Sequence, residues 1–150
     1  VVQHAPLVSI DLMVVRAGTE ALLGLRNNRP AQGMWFVPGG RILKDERMHQ
    51  ALLRVARNEL GLGDAIVSGL LTPRFVGAYE HFYPDCFAGD VGISTHYVAL
   101  GHRLDVPDGF DVPRTDAQHA EFKWWPVQAL LASPLVHQHT KDYFLTEDKQ

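Results

Sequence analysis

Apolar and polar residues alternate along most of the chain with the periods of strands and helices. The run LVSIDLMVV, residues 7–15, is rich in β-branched residues and predicts a strand with one interior carboxylate, Asp11. The turn AGTE leads into ALLGLR, residues 21–26, which predicts the second strand of a hairpin. Further strands are predicted in MWFVPGG, in one or two stretches of residues 65–83, in THYVALGHRL and in EFKWWPV. The chain is therefore expected to build a sheet.

Helical periodicity predicts a long helix over about residues 46–60 and a closing helix over residues 134–148. The first is expected to begin after Asp45 as N-cap and to end at Gly61 and Gly63. The region of Pro126 is expected to start another helix. His137 and His139 are two positions apart, so they are expected to face different directions as surface residues. This order of elements predicts an α/β (α+β) sandwich with a mixed sheet, in a single domain over residues 1–150.

A carboxylate falls inside the apolar stripe of the first helix. At about 100° per residue around the helix axis, Glu59 lies within about 20° of Leu52. Met48 and Val55 lie on one side of it and Ala56 on the other. A buried ionised carboxylate is costly unless it is paired or binds a metal. Glu59 could also bend out to water at a frayed helix end, and the periodicity alone leaves both interpretations open.

Composition narrows the possible partners. The chain has 150 residues, is 46% apolar and has a net charge of −3 without a basic run, which disfavours duplex nucleic acid as a partner. Cys86 is the only cysteine, which fits a reducing compartment. No apolar run approaches a membrane span, and no signal peptide is recognisable, so a cytoplasmic location without a membrane partner is expected.

The segment around Glu59 follows a spaced motif. Gly40 is followed after five residues by Glu46 and after seven more by Arg54, and Ala56, Glu59, Gly61 and Leu62 complete the pattern. This resembles the Nudix box, G-x5-E-x7-R-E-U-x-E-E-x-G-U with U apolar, and seven of its nine specified places are kept. Val55 and Asn58 stand where the box has Glu. The resemblance implies a Nudix-type α/β/α sandwich in which Glu59 is a Mg²⁺ ligand, with fewer metal ions than usual.

A narrower resemblance runs through nearly the whole chain. The stretches that carry it are APLVSID, NRPAQGMWFVPGGR, NELGL, EHFYPDCFAGD, STHYVALGHR, TDAQHAEFKWW and ALLASPLVH. In this order they are similar to the family of GDP-mannose mannosyl hydrolases. The resemblance implies hydrolysis of GDP-mannose, and also of GDP-glucose, by attack of water at C1 of the sugar with release of GDP. It also implies a homodimer with one Mg²⁺ per subunit, which Mn²⁺ can replace.

The same resemblance assigns roles to individual residues. It implies that Mg²⁺ is held by the Gly39 carbonyl, Glu59 and the Gln118 side chain. His119 matches the general base, a role that suits the pKa of histidine, and Arg41 is placed to assist the departing diphosphate. Contacts with the phosphates and the sugar are implied for Arg26, His81, Asp11 and Tyr97.

Each of these assignments has an ordinary structural alternative. His119 could be a loop histidine, Arg26 a solvated charge, and His81 a histidine packed among aromatic rings. Asp11 could pair with a core Arg or Tyr. Glu46 and Arg54 are expected to be structural ion partners, and one of Trp124 and Trp125 must face the core.

Two other functions compete with glycosyl hydrolysis. A Nudix pyrophosphatase would cut at phosphorus and release a nucleoside monophosphate and a sugar 1-phosphate. The missing carboxylates at positions 55 and 58 and the Gln118–His119 pair argue against it. A non-catalytic module that binds nucleotide sugars would not need Glu59 or the base.

Overall fold

The computed structural model describes residues 4–27, 31–84, 94–111 and 119–148, with the side chains of 119–120 and 146–148 left out of the description. The elements follow one another along the chain as β1 (Leu7–Arg16), β2 (Glu20–Arg26), β3 (Trp35–Phe36), β4 (Gly39–Arg41), α1 (Met48–Val55), α2 (Gly63–Val67), β5 (Arg74–Tyr83), β6 (Thr95–Val106), β7 (His119–Pro126), α3 (Val127–Ala132) and α4 (Gln138–Asp148). Between α1 and α2 the chain continues as a π-helical segment, Ala56–Leu60.

Within these residues, the strands form one mixed seven-stranded sheet, in which five lie in the order β3-β2-β1-β6-β5 and β4 and β7 lie off this path. The β1–β2 hairpin is antiparallel, as its sequence predicts, with Ala17 and Gly18 at positive φ in the turn. Strand β1 then runs parallel to β6 over ten positions, from Leu7 beside Tyr97 to Arg16 beside Val106. On its other side β1 also pairs with β4, and β7 pairs with β2.

The sheet separates two apolar clusters. Successive side chains of β1 point to opposite faces of the sheet, so alternate residues pack into one cluster or the other. Ile10, Leu12 and Val14 pack with α1, whereas Met13 and Val15 pack with the layer of α3 and α4. The result is a three-layer sandwich with a mixed sheet, which confirms the predicted fold class. Asp11 has the same parity as Met13 and therefore faces the layer that holds α4.

The first helix differs from its prediction at its N-terminal end. It begins at Met48 rather than Glu46, and its N-cap position is Arg47, whose backbone N–H donates to Gln50 Oε1 at 2.9 Å. The predicted N-cap, Asp45, lies in the preceding turn at φ 65°. Glu46 belongs to the turn instead of the first helical turn, because its carboxylate accepts a hydrogen bond from the Leu43 N–H and pairs with Arg54. At the other end, Gly61 terminates the π-helical segment at φ 67°, as its sequence position predicts.

The remaining helices agree with the sequence in outline. Pro126 precedes α3 and α4 closes the described chain. The stretch over residues 65–83 forms one strand, β5, and its start belongs to the short helix α2, because Gly63 and Asp64 begin a helical turn there. Trp125 faces the core at 8% exposure, and Trp124 packs partly buried on the opposite cluster. Among the described residues no helix is long and apolar enough to cross a membrane.

Candidate active site

An ion pair ties the turn before α1 to the helix itself. Arg54 donates from Nε to Glu46 Oε2 at 2.8 Å and from Nη2 to Glu46 Oε1 at 2.9 Å. Its Nη2 also donates to the Arg41 carbonyl at 2.6 Å. The hydrogen bonds from Arg54 hold the pKa of Glu46 down at about 2. This confirms that Glu46 and Arg54 are structural ion partners, and it fixes Arg41 at the end of β4.

Glu59 lies where the apolar stripe places it. Only 6% of the residue is exposed, so the alternative of a carboxylate bending out to water is wrong. The π-helical segment around it is a type of distortion that is frequent at functional sites. Its two neighbours in the motif cannot add carboxylates: Val55 is buried in the core and Asn58 is exposed. Within the described residues, no group of three or more His, Cys, Asp or Glu side chains is arranged to hold a metal ion.

Two glycines let β4 approach its neighbours closely. A Cβ on Gly40 would lie 3.0 Å from Val55 Cγ2, so β4 packs directly on α1. A Cβ on Gly39 would overlap Asp11 Oδ1 and lie 2.7 Å from the Ile10 carbonyl. Only glycine therefore fits at position 39, where β4 pairs with β1 and the Asp11 carboxylate lies against the backbone.

Asp11 is held by a tyrosine from α4. Tyr143, which is fully buried, donates its hydroxyl to Asp11 Oδ2 at 2.5 Å. Burial raises the pKa of Asp11 to about 6, and the Tyr143 hydrogen bond and the charge of Arg26 partly oppose this rise. Burial and the adjacent Asp11 also raise the pKa of Tyr143. Asp11 therefore does pair with a core tyrosine, and Arg26 is close enough to act on it.

His81, His137 and His139 form a cluster of imidazole rings. The rings of His81 and His139 stack with centroids 4.3 Å apart and planes at 8°, and His137 lies 4.5 Å from His139. His137 and His139 are partly buried and contact each other, so their prediction as surface residues facing apart is wrong. The reason is that His137 precedes α4 instead of lying on it, so helical spacing does not apply.

The other candidates surround this cluster. Tyr97 is half-buried on β6 and lies directly opposite His81 of β5. The centroid of the Tyr97 ring is 6.3 Å from that of the Tyr83 ring. The Arg26 guanidinium lies 5.3 Å from the centre of the Phe36 ring, which stacks on His137 at 4.8 Å. The backbone of His119 pairs with Arg26 across β7 and β2. Gln118 and the side chain of His119 lie outside the described residues.

The structure thus gathers Asp11, Arg26, His81 and Tyr97 on the face of the sheet that α4 covers. Tyr143, His137 and His139 belong to the same group and were not assigned a role from the sequence. One signal was present: His139 and Tyr143 are four positions apart and so share one face of a helix. The spacing does not predict which strands that face of the helix packs against.

A mixed sheet between two helical layers, with a glycine-rich strand packed on a helix that buries one carboxylate, defines a Nudix-type fold. The chain belongs to the NUDIX domain family, which matches residues 5–146, and it is a Nudix hydrolase, a class that generally uses divalent metal ions. It is 41% identical over 123 residues to the Low-salt glycan biosynthesis protein Agl8 of Haloferax volcanii, a match that covers 82% of this chain and 72% of that protein.

Solved structures agree with this fold. The MutT protein of Methanosarcina mazei matches with a TM-score of 0.72 and 20% identity, over 97% of this chain and 96% of that one. The NUDIX domain of Shewanella oneidensis NrtR, solved with ADP ribose, matches with a TM-score of 0.70 and 21% identity, over 97% and 88% of the two chains. At these identities the likeness concerns the fold alone.

Proposed function

We propose that this Nudix hydrolase cleaves GDP-mannose, and also GDP-glucose, by sending water to C1 of the sugar and releasing GDP. The observation that carries the proposal is the set of side chains at the three motif positions that usually hold glutamates. Position 59 holds a buried carboxylate, position 55 a core valine and position 58 an exposed asparagine. The helix therefore offers one inward carboxylate.

A site with one carboxylate is better suited to balancing the charge of a leaving group than to activating water against phosphorus. A pyrophosphatase must activate water against phosphorus, which is favoured by a dense cluster of metal ions and carboxylates. Expulsion of a diphosphate from carbon needs its departing negative charge to be balanced, while a separate base activates the water. The name of the glycan biosynthesis relative supports a sugar nucleotide as substrate.

The donors fit a hard cation. We propose that Mg²⁺ is held by the Gly39 carbonyl, Glu59 and Gln118, because Mg²⁺ prefers oxygen donors and Glu59 is a buried carboxylate at a motif position that usually holds a glutamate. When bound, Mg²⁺ supplies positive charge to the leaving diphosphate, and Mn²⁺ can replace it. Arg41, fixed by the Arg54 contact with its carbonyl, lies at the end of the same strand and would assist.

The remaining residues would position the sugar and remove the proton of water. His119 follows Gln118 and is the proposed base. The Asp11 carboxylate, held by Tyr143 beside Gly39, would accept hydrogen bonds from sugar hydroxyls, and Tyr97 would contact the same part of the substrate. Arg26 and His81 would contact the phosphates. We also expect a cytoplasmic location and a homodimer; light scattering of the purified protein would test the dimer.

Isotope labelling separates this proposal from the pyrophosphatase. GDP-mannose is hydrolysed in ¹⁸O-labelled water, and both products are analysed by mass spectrometry and by NMR of the anomeric proton. The label is expected in free mannose and not in the nucleotide, which is expected to be GDP. In-line displacement at C1 gives the β anomer first. Label in a phosphate, or the products GMP and mannose 1-phosphate, would establish the pyrophosphatase activity. If no nucleotide sugar is turned over, the result would favour a non-catalytic binding module.

A further inference from the structure

Three imidazoles pack together beside the candidate site, and we call His81, His137 and His139 the histidine cluster. Around its stacked rings are aromatic edges: Tyr83 meets His139 at 4.9 Å and 89°, and Tyr143 meets His81 at 5.7 Å and 72°. Histidine is a poor choice for such a location if packing is the only task, because phenylalanine would fill the same space without a polar atom to satisfy.

Hydrogen bonds fix the protons of two of the rings. His137 Nδ1 accepts the backbone N–H of His139 at 3.1 Å, so a neutral His137 carries its proton on Nε2. His139 Nε2 lies 3.0 Å from the Phe82 carbonyl and must donate to it, which leaves its Nδ1 as an acceptor. His81 Nε2 is buried and has no hydrogen-bond partner within the described part of the chain. An unmade hydrogen bond of this kind costs about 1–3 kcal/mol.

Burial favours the uncharged form of His81 and His137. Burial and, to a smaller extent, the proximity of His139 lower the pKa of His81 and of His137 to about 4. The start of α4 adds the partial positive charge of a helix N-terminus. Among the residues that the structure describes, the ionisable groups around the cluster are Arg26 from β2, Asp11 from β1, Tyr79 and Tyr83 from β5, Tyr97 from β6, and Asp142 and Tyr143 from α4.

Few of those charges can balance a protonated ring. Asp142 favours protonation of His81 and His137, but it already accepts a hydrogen bond from Gln138 Nε2 at 2.9 Å. Asp11 is bound by Tyr143, and Arg26 disfavours protonation of His137. An anion brought into contact with the rings would supply the missing charge. A single added proton is the limit, because rings 4.3–4.5 Å apart repel each other once two are charged.

We propose that the histidine cluster binds phosphate oxygens of the substrate's diphosphate and takes up one proton from solvent as it does so. His137 and His139 thereby join His81 in the binding site, and the start of α4 becomes part of it. The cluster balances the charge of the bound phosphates reversibly and is neutral again when the product leaves. That the anion is a diphosphate rests on the proposed function; the cluster itself does not.

Calorimetry measures the proton directly. Pyrophosphate and GDP are each titrated into the Mg²⁺-loaded protein at pH 7 in buffers with different enthalpies of ionisation, and the slope gives the protons exchanged. In His139→Phe, which keeps a stacked ring without nitrogen, proton uptake is expected to fall by up to one, and affinity by roughly 10- to 100-fold. Comparison with the wild type cancels protons exchanged by the ligand itself.

His102→Phe is the matched control. His102 is also a buried histidine whose pKa burial lowers, but it lies against Phe75 and bonds the Leu100 carbonyl. Its replacement is expected to change neither uptake nor affinity. Equal uptake in wild type and His139→Phe overturns the proposal.

NMR titration of the wild type decides the question even if a variant fails to fold. Pyrophosphate is expected to raise the pKa of one cluster histidine by at least about one unit, because an adjacent negative charge favours the protonated ring. Unmoved ring titrations contradict the proposal. If GDP-mannose is not hydrolysed but pyrophosphate binds with uptake that depends on His139, the proposed function fails and the binding site stands.

Discussion

At the scale of single residues, Glu59 connects the sequence motif to the proposed chemistry. Glu59→Gln keeps the size of the side chain and removes its charge. We expect Mg²⁺-dependent turnover to fall by roughly 100-fold or more, because a hard cation loses its charged ligand. The melting temperature should stay the same or rise, since a buried charge has been removed. The measurement is kcat as a function of Mg²⁺, with Glu80→Gln on the exposed side of β5 as control. Near wild-type turnover with an unchanged Mg²⁺ requirement would exclude Glu59 as a ligand.

His119 is the second residue whose role can be isolated. Removing a positioned general base costs roughly 10²–10⁴-fold in rate. His119→Gln should therefore lower kcat by about that factor and leave KM nearly unchanged, because glutamine can still hydrogen-bond water but cannot take its proton. Steady-state kinetics with GDP-mannose measure both constants. The control is His49→Gln on the exposed side of α1. A loss confined to KM would make His119 a binding residue.

At the scale of elements, the close approach of β4 to β1 can be tested with one methyl group. Gly39→Ala places a Cβ against the Ile10 carbonyl and the Asp11 carboxylate. The two strands must separate, which we expect to lower the unfolding free energy by about 1–3 kcal/mol and turnover by more than about tenfold. Urea denaturation and kinetics measure the two effects. In Gly77→Ala the nearest atom would be 3.6 Å away, an ordinary contact, so little change is expected. Equal behaviour of the two variants would mean that β4 is not held this tightly.

The same scale shows what α4 contributes. Its residues His139 and Tyr143 hold His81 of β5 and Asp11 of β1, two strands that are separated by β6. One helix thus fixes two candidate substrate-binding residues at once. The hydrogen bond of Tyr143 can be removed without emptying the core.

Tyr143→Phe keeps the buried ring and deletes only the hydroxyl that binds Asp11. We expect KM for GDP-mannose to rise by roughly 10-fold, because Asp11 loses its fixed orientation and a hydrogen bond to a charged group is worth about 1.5–3 kcal/mol. Guanosine diphosphate alone should bind as in the wild type, since Asp11 is assigned to the sugar. Weaker binding of both ligands would instead indicate a general loss of packing at α4.

At the scale of the whole molecule, the buried histidines predict a dependence of stability on pH. The pKa of His81 and that of His137 lie at about 4 in the folded protein and near the ordinary histidine value of 6.5 in the unfolded chain. Between these values the unfolded chain binds more protons, so stability is lost as the pH falls from 6.5 to 4. Asp11 acts in the opposite direction, because its pKa is raised to about 6 and the folded state binds its proton first.

Two histidines outweigh one carboxyl group, so the net sign is a loss in acid. We expect the unfolding free energy to be lower by about 1–3 kcal/mol at pH 5 than at pH 7. Urea denaturation at the two pH values measures it. His81→Phe should reduce the difference, and a stability that is equal or higher at pH 5 would show that these histidines are protonated without cost.

Sequence periodicity and the spaced motif were sufficient for the order of the strands and of the helices other than the short helix α2, for the fold class, and for the inward position of Glu59. Each depends on neighbours in the chain: the alternation of β1, the apolar stripe of α1, and the stop at Gly61. The pairing of Glu46 with Arg54 was expected from their places in the motif. Local rules give such features because the interacting groups are joined by a few peptide units.

Only the tertiary structure decided how distant residues meet. The contact of Tyr143 with Asp11 spans 132 positions, and the stack of His81 on His139 joins an outer strand to a helix. The same holds for the fit of Gly39 against Asp11, which requires β4 to pair with β1. Spacing along the chain fixes which residues share a face of a strand or helix. Which face meets which is set by the packing of the whole sheet between its two helical layers, because that packing must bury every apolar face together.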